Sequence, residues 1–304
     1  MRQITYIIVT WNNEKEIKKC LESIAKFSSN YEIIVVDNNS EDKTISFIKD
    51  FSKNVTLIQE KNNLGFARAN NLALSKVKSE YVCFINPDVV LTENIITQSI
   101  AVLERNEKIG LVACHLRNKD GSHQQSCFNY FNRYVAFCEI LHLGVVFPNI
   151  IRKHLFQSHY QCEESFYPDW VIGAEMIMRT EDAKRINGFS TDYFMYTEDM
   201  DLCMKIKCFL GKKVYFIADK SLIHLGGASE IQNTNYNKQK KMFQNSLLFT
   251  EKYYGCDKVL ITKKYMLAAY RIRLLILNSL YFKKDRKFQI DKTLNAMCIL
   301  KELI

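Results

Sequence analysis

Residues 31–48 read YEIIVVDNNSEDKTISFI, and this stretch decides the fold class. It opens with a nearly continuous apolar and β-branched run that ends at Asp37, which is typical of a buried strand. The triplet at 40–42 is a capping signal for a helix N-terminus, and apolar residues then recur at helical spacing from Thr44 to Ile48. The stretch therefore predicts a strand that leads directly into a helix, which is one βα unit.

The same alternation runs through the first half of the chain. Further strand-like runs are ITYIIVT at 4–10, NVTLIQE at 54–60 and YVCFIN at 81–86, and a helical segment runs from Phe66 to Leu74. This alternation predicts an α/β fold with a mostly parallel sheet flanked by helices. Because ligands of such sheets bind beyond the carboxyl ends of the strands, three segments are candidate site segments: 10–13 (TWNN), 37–40 (DNNS) and 86–88 (NPD).

The chain has 304 residues, of which 47% are hydrophobic, enough for one large domain or for one domain with a smaller appendage. Its charge is divided unevenly, because residues 231–304 hold 15 Lys+Arg and 5 Asp+Glu, whereas residues 1–230 hold 27 and 28. We therefore expect an almost neutral α/β domain over 1–230 and a basic helical extension over 231–304. Residues 125–168 are rich in aromatic side chains and predict helix and loop packed against the sheet, or a partly exposed apolar flap.

The sequence contains no recognisable secretory leader or membrane span. The apolar run at 4–9 ends at Trp11, too early for a signal peptide, and no uncharged stretch reaches the roughly 20 residues that cross a bilayer. The 10 cysteines form no C-x-x-C pair, and several lie inside apolar runs, which is typical of reduced, buried thiols. We therefore expect the protein in the cytoplasm, or bound peripherally to the inner face of the cell membrane.

Two strand ends carry carboxylates that allow more than one interpretation. Asp37 can accept hydrogen bonds from a nucleotide base or a ribose hydroxyl, or it can cap the following helix. Asp88, in the segment at 86–88, can bind Mg²⁺ or Mn²⁺ that bridges diphosphate oxygens. A Pro-Asp turn between a strand and a helix is also common without any function.

Two other segments contain candidate ligands. The segment 62–71 (NNLGFARANN) can clamp a phosphate or a sugar, with Arg68 supplying charge, although it holds a single glycine and Asn-rich turns need no function. His224 precedes two glycines in LIHLGGAS. It is either a structural residue among apolar neighbours or a ligand of a cation or phosphate.

Three carboxylates, those of Glu198, Asp199 and Asp201, stand at the start of a predicted helix. Carboxylates are favourable there because of the helix dipole, so capping is one interpretation. An aromatic run at 193–196 precedes them, and an apolar wall raises the pKa of a carboxylate toward the range that suits a general base. This arrangement favours a functional role.

Taken in order, these segments resemble family 2 glycosyltransferases of the GT-A fold, and bacterial rhamnosyltransferase-type members in particular. The resemblance covers roughly residues 1–230. It rests on six elements, of which the fifth and the Asn-Pro-Asp segment are the most specific: IIVTWNN, VVDNNSEDKT, NNLGFARANN, FINPDV, GAEMIMRTEDAKRINGFSTDYFMYTEDMDLCMKI and IHLGGAS.

The resemblance implies a role for each matched position. Asp199 corresponds to the general base of an inverting reaction, with Glu198 and Asp201 as neighbours. Asp88 and His224 correspond to ligands of a divalent cation, Mg²⁺ or Mn²⁺. Many relatives carry D-x-D, whereas this chain has Asn at the first position of that motif. The implied donor-binding residues are Thr10, Asn12, Asp37, Asn39, Arg68, Asn86, Asp88, Gly173 and Ala174.

The implied reaction transfers a sugar, with rhamnose as one candidate, from a dTDP-, UDP- or GDP-sugar to a hydroxyl of a cell-surface glycan or a lipid-linked acceptor. The hydroxyl loses its proton to a carboxylate as it attacks the anomeric carbon, and one base without a second nucleophile means inversion. A cation and a histidine can stabilise the charge that develops on the leaving diphosphate.

Two alternatives stay open. A sugar-nucleotide nucleotidyltransferase would use a similar sheet, but the place of its glycine-rich phosphate loop holds TWNN at 10–13. A non-enzymatic binder of sugar nucleotides or nucleic acid is suggested by the basic extension. The extension has no recognised nucleic-acid-binding motif, so we expect no nucleic acid partner.

The C-terminal extension predicts contact with an anionic membrane surface. Residues 263–284 (KKYMLAAYRIRLLILNSLYFKK) place an apolar stretch between lysines, and Arg271 and Arg273 interrupt it, so we expect it to lie in the interface and not to span. The alternative is an ordinary C-terminal helix whose stripe packs inside the protein. The residues of the stripe recur three or four apart: Met266, Tyr270, Leu274, Leu277 and Tyr281.

Overall fold

A computed structural model describes residues 3–51, 54–147, 164–226, 235–279 and 285–303. Its packing divides the chain into two units, which interleave along the sequence and do not divide once at residue 230. The first comprises Met1–Phe128 and Gln161–Glu230, and the second comprises Asn129–Tyr160 and Ile231–Ile304. Residues 129–147 of the aromatic middle segment thus belong to the second unit, because the helix Arg133–Ile140 packs against the C-terminal helix Cys256–Ser279, whereas residues 164–168 belong to the first unit.

The first unit is built on a sheet whose main strands coincide with the apolar runs. Eight strands form this sheet in the order β3-β2-β1-β4-β9-β6-β10-β5, and β7 pairs with β8. Within the described residues the strands are β1 Ile4–Thr10, β2 Tyr31–Asp37, β3 Val55–Gln59, β4 Tyr81–Ile85, β5 Val89–Leu91, β6 Ile109–Arg117, β7 Cys127–Phe128, β8 Trp170–Val171, β9 Glu175–Arg179 and β10 Lys213–His224.

Strand pairing brings the candidate site segments to one edge of this sheet. β1 lies between β2 and β4, and all three run parallel, so their carboxyl ends meet. β9 is antiparallel to β4, and the pairing of Glu175 with Ile85 places the residues that precede β9 at the same edge. β10 is antiparallel to β5 and pairs His224 with Val89, which brings His224 beside the segment at 86–88.

Helices cover the sheet and build the second unit. α1 shows the principle, because Ile17, Cys20, Leu21 and Ile24 recur at helical spacing and are all buried in the core. Within the described residues the helices are α1 Ile17–Phe27, α2 Thr44–Phe51, α3 Phe66–Leu74, α4 Ile96–Arg105, α5 Arg133–Ile140, α6 Leu143–Val146, α7 Thr180–Arg185, α8 Glu198–Leu210, α9 Asn235–Tyr254, α10 Cys256–Ser279 and α11 Arg286–Glu302.

The second unit contains α5, α6, α9, α10 and α11 and has a small core of its own. Ala136 of α5, Met266 of α10 and Leu300 of α11 form a buried cluster, and Tyr270 packs against it. The phenol of Tyr270 is deep enough for burial to raise its pKa to about 12.

The stripe predicted to lie in a membrane interface therefore faces inward. Met266 and Leu277 are buried, Leu274 is half-buried, and Tyr281 lies outside the described residues. The sequence pattern indicated a helix correctly, but the stripe packs inside the helical unit, which is the alternative that the sequence left open, and apolar residues also occur on the opposite face. Within the described residues, no helix is both long enough and apolar enough to cross a membrane.

Candidate active site

A cleft of about 250 Å³ lies in the first unit at the sheet edge where the site segments meet. Seven of the predicted site residues line it: Thr10, Asn86, Asp88, Gly173, Glu198, Asp199 and His224. Six others do not: Asn12, Asp37, Asn39, Arg68, Ala174 and Asp201.

The turn after β1 presents Thr10 and Trp11 to the cleft because Asn13 holds it. The Oδ1 atom of Asn13 accepts hydrogen bonds from the Thr10 hydroxyl (3.1 Å) and from the Trp11 backbone N–H (3.0 Å). Asn12 adopts a left-handed conformation with φ 54°, and its Oδ1 accepts the backbone N–H of Glu41 (2.9 Å). Asn12 thus joins two loops and does not face the cleft.

The turn after β2 is closed by Asp37, whose hydrogen bonds end at Ser40, four residues before α2 begins at Thr44, so these bonds do not cap that helix. This carboxylate is fully buried and accepts the backbone N–H of Ser40 (2.9 Å) and the Ser40 hydroxyl. The neighbouring Asn38 lines the cleft, and its Oδ1 accepts the backbone N–H of Leu64 (3.3 Å). Asn39 is exposed on the turn, and Arg68 is exposed on α3. Neither of these two side chains reaches the cleft.

The segment after β4 brings a carboxylate next to a histidine. The Asn86 backbone N–H donates to the carbonyl of Ala174 (2.9 Å), which ties the segment to the start of β9. Asp88 is 7% exposed, and its Oδ1 lies 3.4 Å from Nε2 of His224. The Leu225 backbone N–H donates to the Asp88 carbonyl (2.9 Å), so the pair is fixed by main-chain contacts as well as by strand pairing.

His224 is oriented by a residue that sequence reasoning missed. Its Nδ1 lies 2.9 Å from Oε1 of Gln124. The Gln124 backbone N–H donates to the carbonyl of Leu116 in β6 (3.0 Å), which anchors the glutamine beside the sheet. Gly226 lies next to the side-chain amide of Gln124, because a Cβ on this glycine would be 3.5 Å from the Nε2 atom. Gly227, the second glycine of the segment LIHLGGAS, lies outside the described residues.

Asp199 stands at the start of α8 and is held by two backbone N–H groups. Gly173 donates to Oδ2 (3.1 Å) and Met200 donates to Oδ1 (2.8 Å). Burial raises the pKa of Asp199 above its ordinary value, and these two hydrogen bonds oppose that shift. A Cβ on Gly173 would lie 3.3 Å from the Asp199 Cβ, so the absence of a side chain there permits the close approach.

The neighbours of Asp199 differ in their placement. Glu198 is 7% exposed and lines the cleft. Asp201 is fully buried and accepts hydrogen bonds from the hydroxyls of Ser190 and Tyr193 (3.2 Å for Tyr193). Asp201 therefore holds the loop that precedes α8 and does not contact the cleft.

Aromatic residues that were predicted only as an apolar wall enter the cleft directly. Phe194 and Tyr196 line it together with Trp11 and Phe66. Gly65 has φ 79°, and a Cβ there would lie 2.9 Å from the Phe194 carbonyl oxygen. The glycine thus permits two cleft loops to approach closely.

Comparison with known proteins identifies the family of the chain that contains this cleft. The sequence model described as "Glycosyl transferase family 2" matches residues 5–154, which include the segments TWNN, DNNS and NPD. The chain belongs to glycosyltransferase family 2. It is therefore an inverting glycosyltransferase that takes a sugar from a nucleotide-sugar donor.

Individual relatives of this family 2 glycosyltransferase support the assignment. It is 25% identical over 268 residues to the rhamnosyltransferase WbbL of Escherichia coli K12, covering 85% of this chain and 95% of the relative. The mannosyltransferase PcManGT from Pyrobaculum calidifontis, solved with GDP-Man and Mn²⁺, has a TM-score of 0.61 at 16% identity and covers 99% of this chain and 86% of that chain.

A third similar structure is the 1–349 segment of TarS from S. aureus, solved with UDP-GlcNAc. Its TM-score is 0.54 at 15% identity, with coverage of 99% of this chain and 84% of that chain. The two structural likenesses show that the family 2 glycosyltransferase has the GT-A fold.

Proposed function

We propose that this glycosyltransferase uses Asp199 as the base that deprotonates an acceptor hydroxyl, while Asp88 and His224 act on the diphosphate of the donor. The observation that carries this proposal is that one cleft is lined by all three side chains. The carboxylate of Asp199 is held by the N–H groups of Gly173 and Met200, so it is positioned before an acceptor arrives.

The burial of Asp199 suits a role in proton transfer, because burial raises the pKa of its carboxyl group. A carboxylate with a raised pKa is a stronger proton acceptor than an exposed one, and the attacking hydroxyl becomes acidic only as it bonds to the anomeric carbon. Attack from the face opposite the leaving diphosphate then inverts the anomeric configuration in a single displacement. Glu198 lines the same cleft and is proposed to contact the acceptor or the donor sugar.

The pair formed by Asp88 and His224 suits a divalent cation, either Mg²⁺ or Mn²⁺. The Asp88 oxygen and the His224 Nε2 atom, 3.4 Å apart, are both ligand types that Mn²⁺ accepts. Within the described residues, no group of three or more His, Cys, Asp and Glu gathers as a metal site. The protein would thus supply two ligands and leave other positions to diphosphate oxygens and water. A bound cation would offset the charge of the leaving diphosphate.

The donor and the acceptor are proposed from the relatives and from the chemistry of the cleft. Similarity to WbbL supports rhamnose as the sugar, from a dTDP-, UDP- or GDP-linked donor. Thr10, Asn86 and Gly173 line the cleft and are the proposed donor contacts among the predicted residues. The acceptor is proposed to be a hydroxyl of a cell-surface glycan or of a lipid-linked intermediate, reached from the cytoplasmic side of the membrane.

A donor screen tests this proposal. The purified protein is incubated with each sugar nucleotide, a mixture of lipid-linked and soluble glycan acceptors, and Mg²⁺ or Mn²⁺, and the released nucleotide is identified. Release of UDP, dTDP or GDP that depends on the acceptor supports glycosyl transfer. Release of inorganic diphosphate would instead indicate a nucleotidyltransferase, and binding of donor without turnover under every condition would indicate a non-enzymatic binder.

A further inference from the structure

Exposed apolar side chains are concentrated in the second unit. Of the large hydrophobic residues that are exposed in the described part of the chain, all but Tyr167, Phe194 and Phe209 belong to this unit. The same unit is strongly basic, with 18 Lys+Arg and 6 Asp+Glu over its two ranges. Exposed hydrophobic side chains that were merely scattered would be divided between both units. Their concentration in the basic unit therefore indicates a surface that contacts something else.

The clearest apolar surface lies on α10, on the side away from its buried stripe. Ile272 is 39% exposed, Leu275 is 70% exposed and Ile276 is 48% exposed. Positions separated by three and four residues share one face of a helix, so these three side chains form a continuous strip. Lys264 and Arg271 are also exposed and flank this strip.

An aromatic edge from α5 extends the strip. Tyr134 is 55% exposed, and its ring lies 6.0 Å from the ring of Tyr265 on α10 in an edge-to-face arrangement. The guanidinium of Arg133 lies 4.5 Å from the Tyr134 ring centroid and 5.8 Å from that of Tyr265. Tyrosines with an apolar body and a polar tip are favoured where water meets lipid. We call the whole area the α10 surface: Arg133, Tyr134, Lys264, Tyr265, Arg271, Ile272, Leu275 and Ile276.

We infer that the α10 surface docks the enzyme on an anionic lipid bilayer. Apolar side chains that are flanked by Lys and Arg on one helix face insert into the interface while the cations meet lipid phosphates. A second copy of the chain is a poorer occupant, because it would bring this basic surface against the same positive charges. This inference does not depend on the identity of the donor or on the role of Asp199. It assigns the membrane contact to the face of α10 opposite the stripe that was predicted from the sequence.

Vesicle sedimentation with the full-length protein tests the inference. The probes are vesicles of phosphatidylcholine alone and of phosphatidylcholine mixed with phosphatidylglycerol, at low and high salt. We expect sedimentation with the anionic vesicles at low salt and release at high salt. Lys264→Gln with Arg271→Gln should weaken binding about fivefold for each cation removed. Ile272→Glu with Leu275→Glu should abolish it.

Matched controls lie in the first unit. Phe209→Glu adds a charge at a side chain that is 65% exposed on α8, and Lys15→Gln with Lys19→Gln removes two exposed cations. Both controls should bind vesicles as the wild type does. Circular dichroism, together with nucleoside diphosphate release on a soluble acceptor, should be unchanged in the α10 variants, which separates failure of docking from failure of the proposed function.

Any of four results would overturn the inference. The wild type could remain in the supernatant with anionic vesicles at low salt. The α10 variants could bind vesicles as well as the wild type does. The first-unit controls could lose as much vesicle binding as the α10 variants lose. Light scattering could also show a dimer that the Ile272→Glu, Leu275→Glu variant dissociates, which would assign the surface to a second copy of the chain.

Discussion

Nε2 of His224 and Oδ1 of Asp88 lie 3.4 Å apart where both residues line the cleft, and the antiparallel pairing of β10 with β5 holds them there. Both atoms have lone pairs, so the contact requires either a proton or a cation between them. The opposite ring nitrogen, Nδ1, faces Oε1 of Gln124 at 2.9 Å. If Nδ1 carries the proton, Nε2 is left as a free ligand atom that points toward Asp88.

Replacement of Gln124 by Leu should weaken metal binding without altering the fold. Partners that orient a ligating histidine typically contribute 10- to 100-fold in metal affinity, so we expect the Kd for Mn²⁺ to rise by about that factor. The measurement is titration of Mn²⁺ followed by electron paramagnetic resonance. In protein labelled with ¹⁵N-histidine and loaded with Mg²⁺, a diamagnetic cation, the His224 signal should indicate protonation at Nδ1 in the wild type and a mixture of tautomers in Gln124→Leu.

The matched control is Gln98→Leu, which removes an amide that contacts Asp219 on the outside of the first unit. It should leave Mn²⁺ binding unchanged. An unaltered Mn²⁺ affinity in Gln124→Leu, or a wild-type His224 protonated at Nε2, would show that Gln124 does not orient the ligand.

Asp88→Ala should weaken the binding of nucleoside diphosphate in the presence of Mn²⁺ much more than in its absence. The physical reason is that the cation couples the diphosphate to this carboxylate, so its removal leaves only direct contacts with the protein. Isothermal titration of UDP, dTDP and GDP with Mn²⁺ or with chelator measures both states. Full turnover of the wild type in excess chelator would contradict the role of the cation, and His224 would then remain a direct diphosphate contact.

Asp199→Asn should reduce turnover by about 10²–10⁴-fold, because the amide keeps the shape and cannot accept the proton. Donor affinity should change little. The raised pKa of Asp199 also predicts that kcat/KM of the wild type rises with pH through a value above the ordinary range of an aspartate. Steady-state kinetics over a series of pH values tests both expectations. Asp50→Asn, at an exposed carboxylate on α2, is the control and should behave as the wild type. Near-normal turnover in Asp199→Asn would reject the assignment.

The parts of the molecule that sequence alone could predict are those set by local patterns. β1, β2 and α3 begin and end where the sequence pattern placed them, because each is a short apolar or periodic run bounded by polar turns. The rule that ligands bind at strand ends selected the segment that holds Asp88, whereas Gly173 was implied by the family resemblance and Asp199 by that resemblance and by its place after an aromatic run. The structure brings all three to one cleft.

The parts that could not be predicted depend on contacts between distant segments. The pairing of Gln124 with His224 arises only after β6 and β10 lie side by side, and a lone glutamine in a loop carries no signal of it. The burial of Asp37 depends on how tightly its turn closes on Ser40. In α10, apolar residues occur on both faces, so periodicity could not decide whether Met266 or Leu275 faces the core.

A buried acid in the sheet gives a prediction about stability. Glu175 is 1% exposed, its Oε2 accepts the backbone N–H of Cys114 (2.9 Å), and its Oε1 has no hydrogen-bond partner within the described residues. Burial raises the pKa of Glu175 from 4.5 to about 8. The folded protein therefore holds one proton more than the unfolded chain between those two values. Over that range the free energy of unfolding should decrease as pH rises, and it should level off above about pH 8.

Glu175→Gln keeps the shape of this side chain and removes its titration. We expect the variant to be more stable than the wild type at pH 8, by on the order of a few kcal/mol, since each pKa unit corresponds to about 1.4 kcal/mol. The difference should shrink toward pH 5, because the wild-type carboxyl then becomes protonated in the unfolded chain as well, so folding no longer requires the uptake of a proton. Urea unfolding at a series of pH values measures this, with Glu107→Gln at an exposed position as the control. A pH dependence of Glu175→Gln that parallels the wild type would mean that Glu175 does not retain its proton in the folded protein, and that the decrease in stability has another origin.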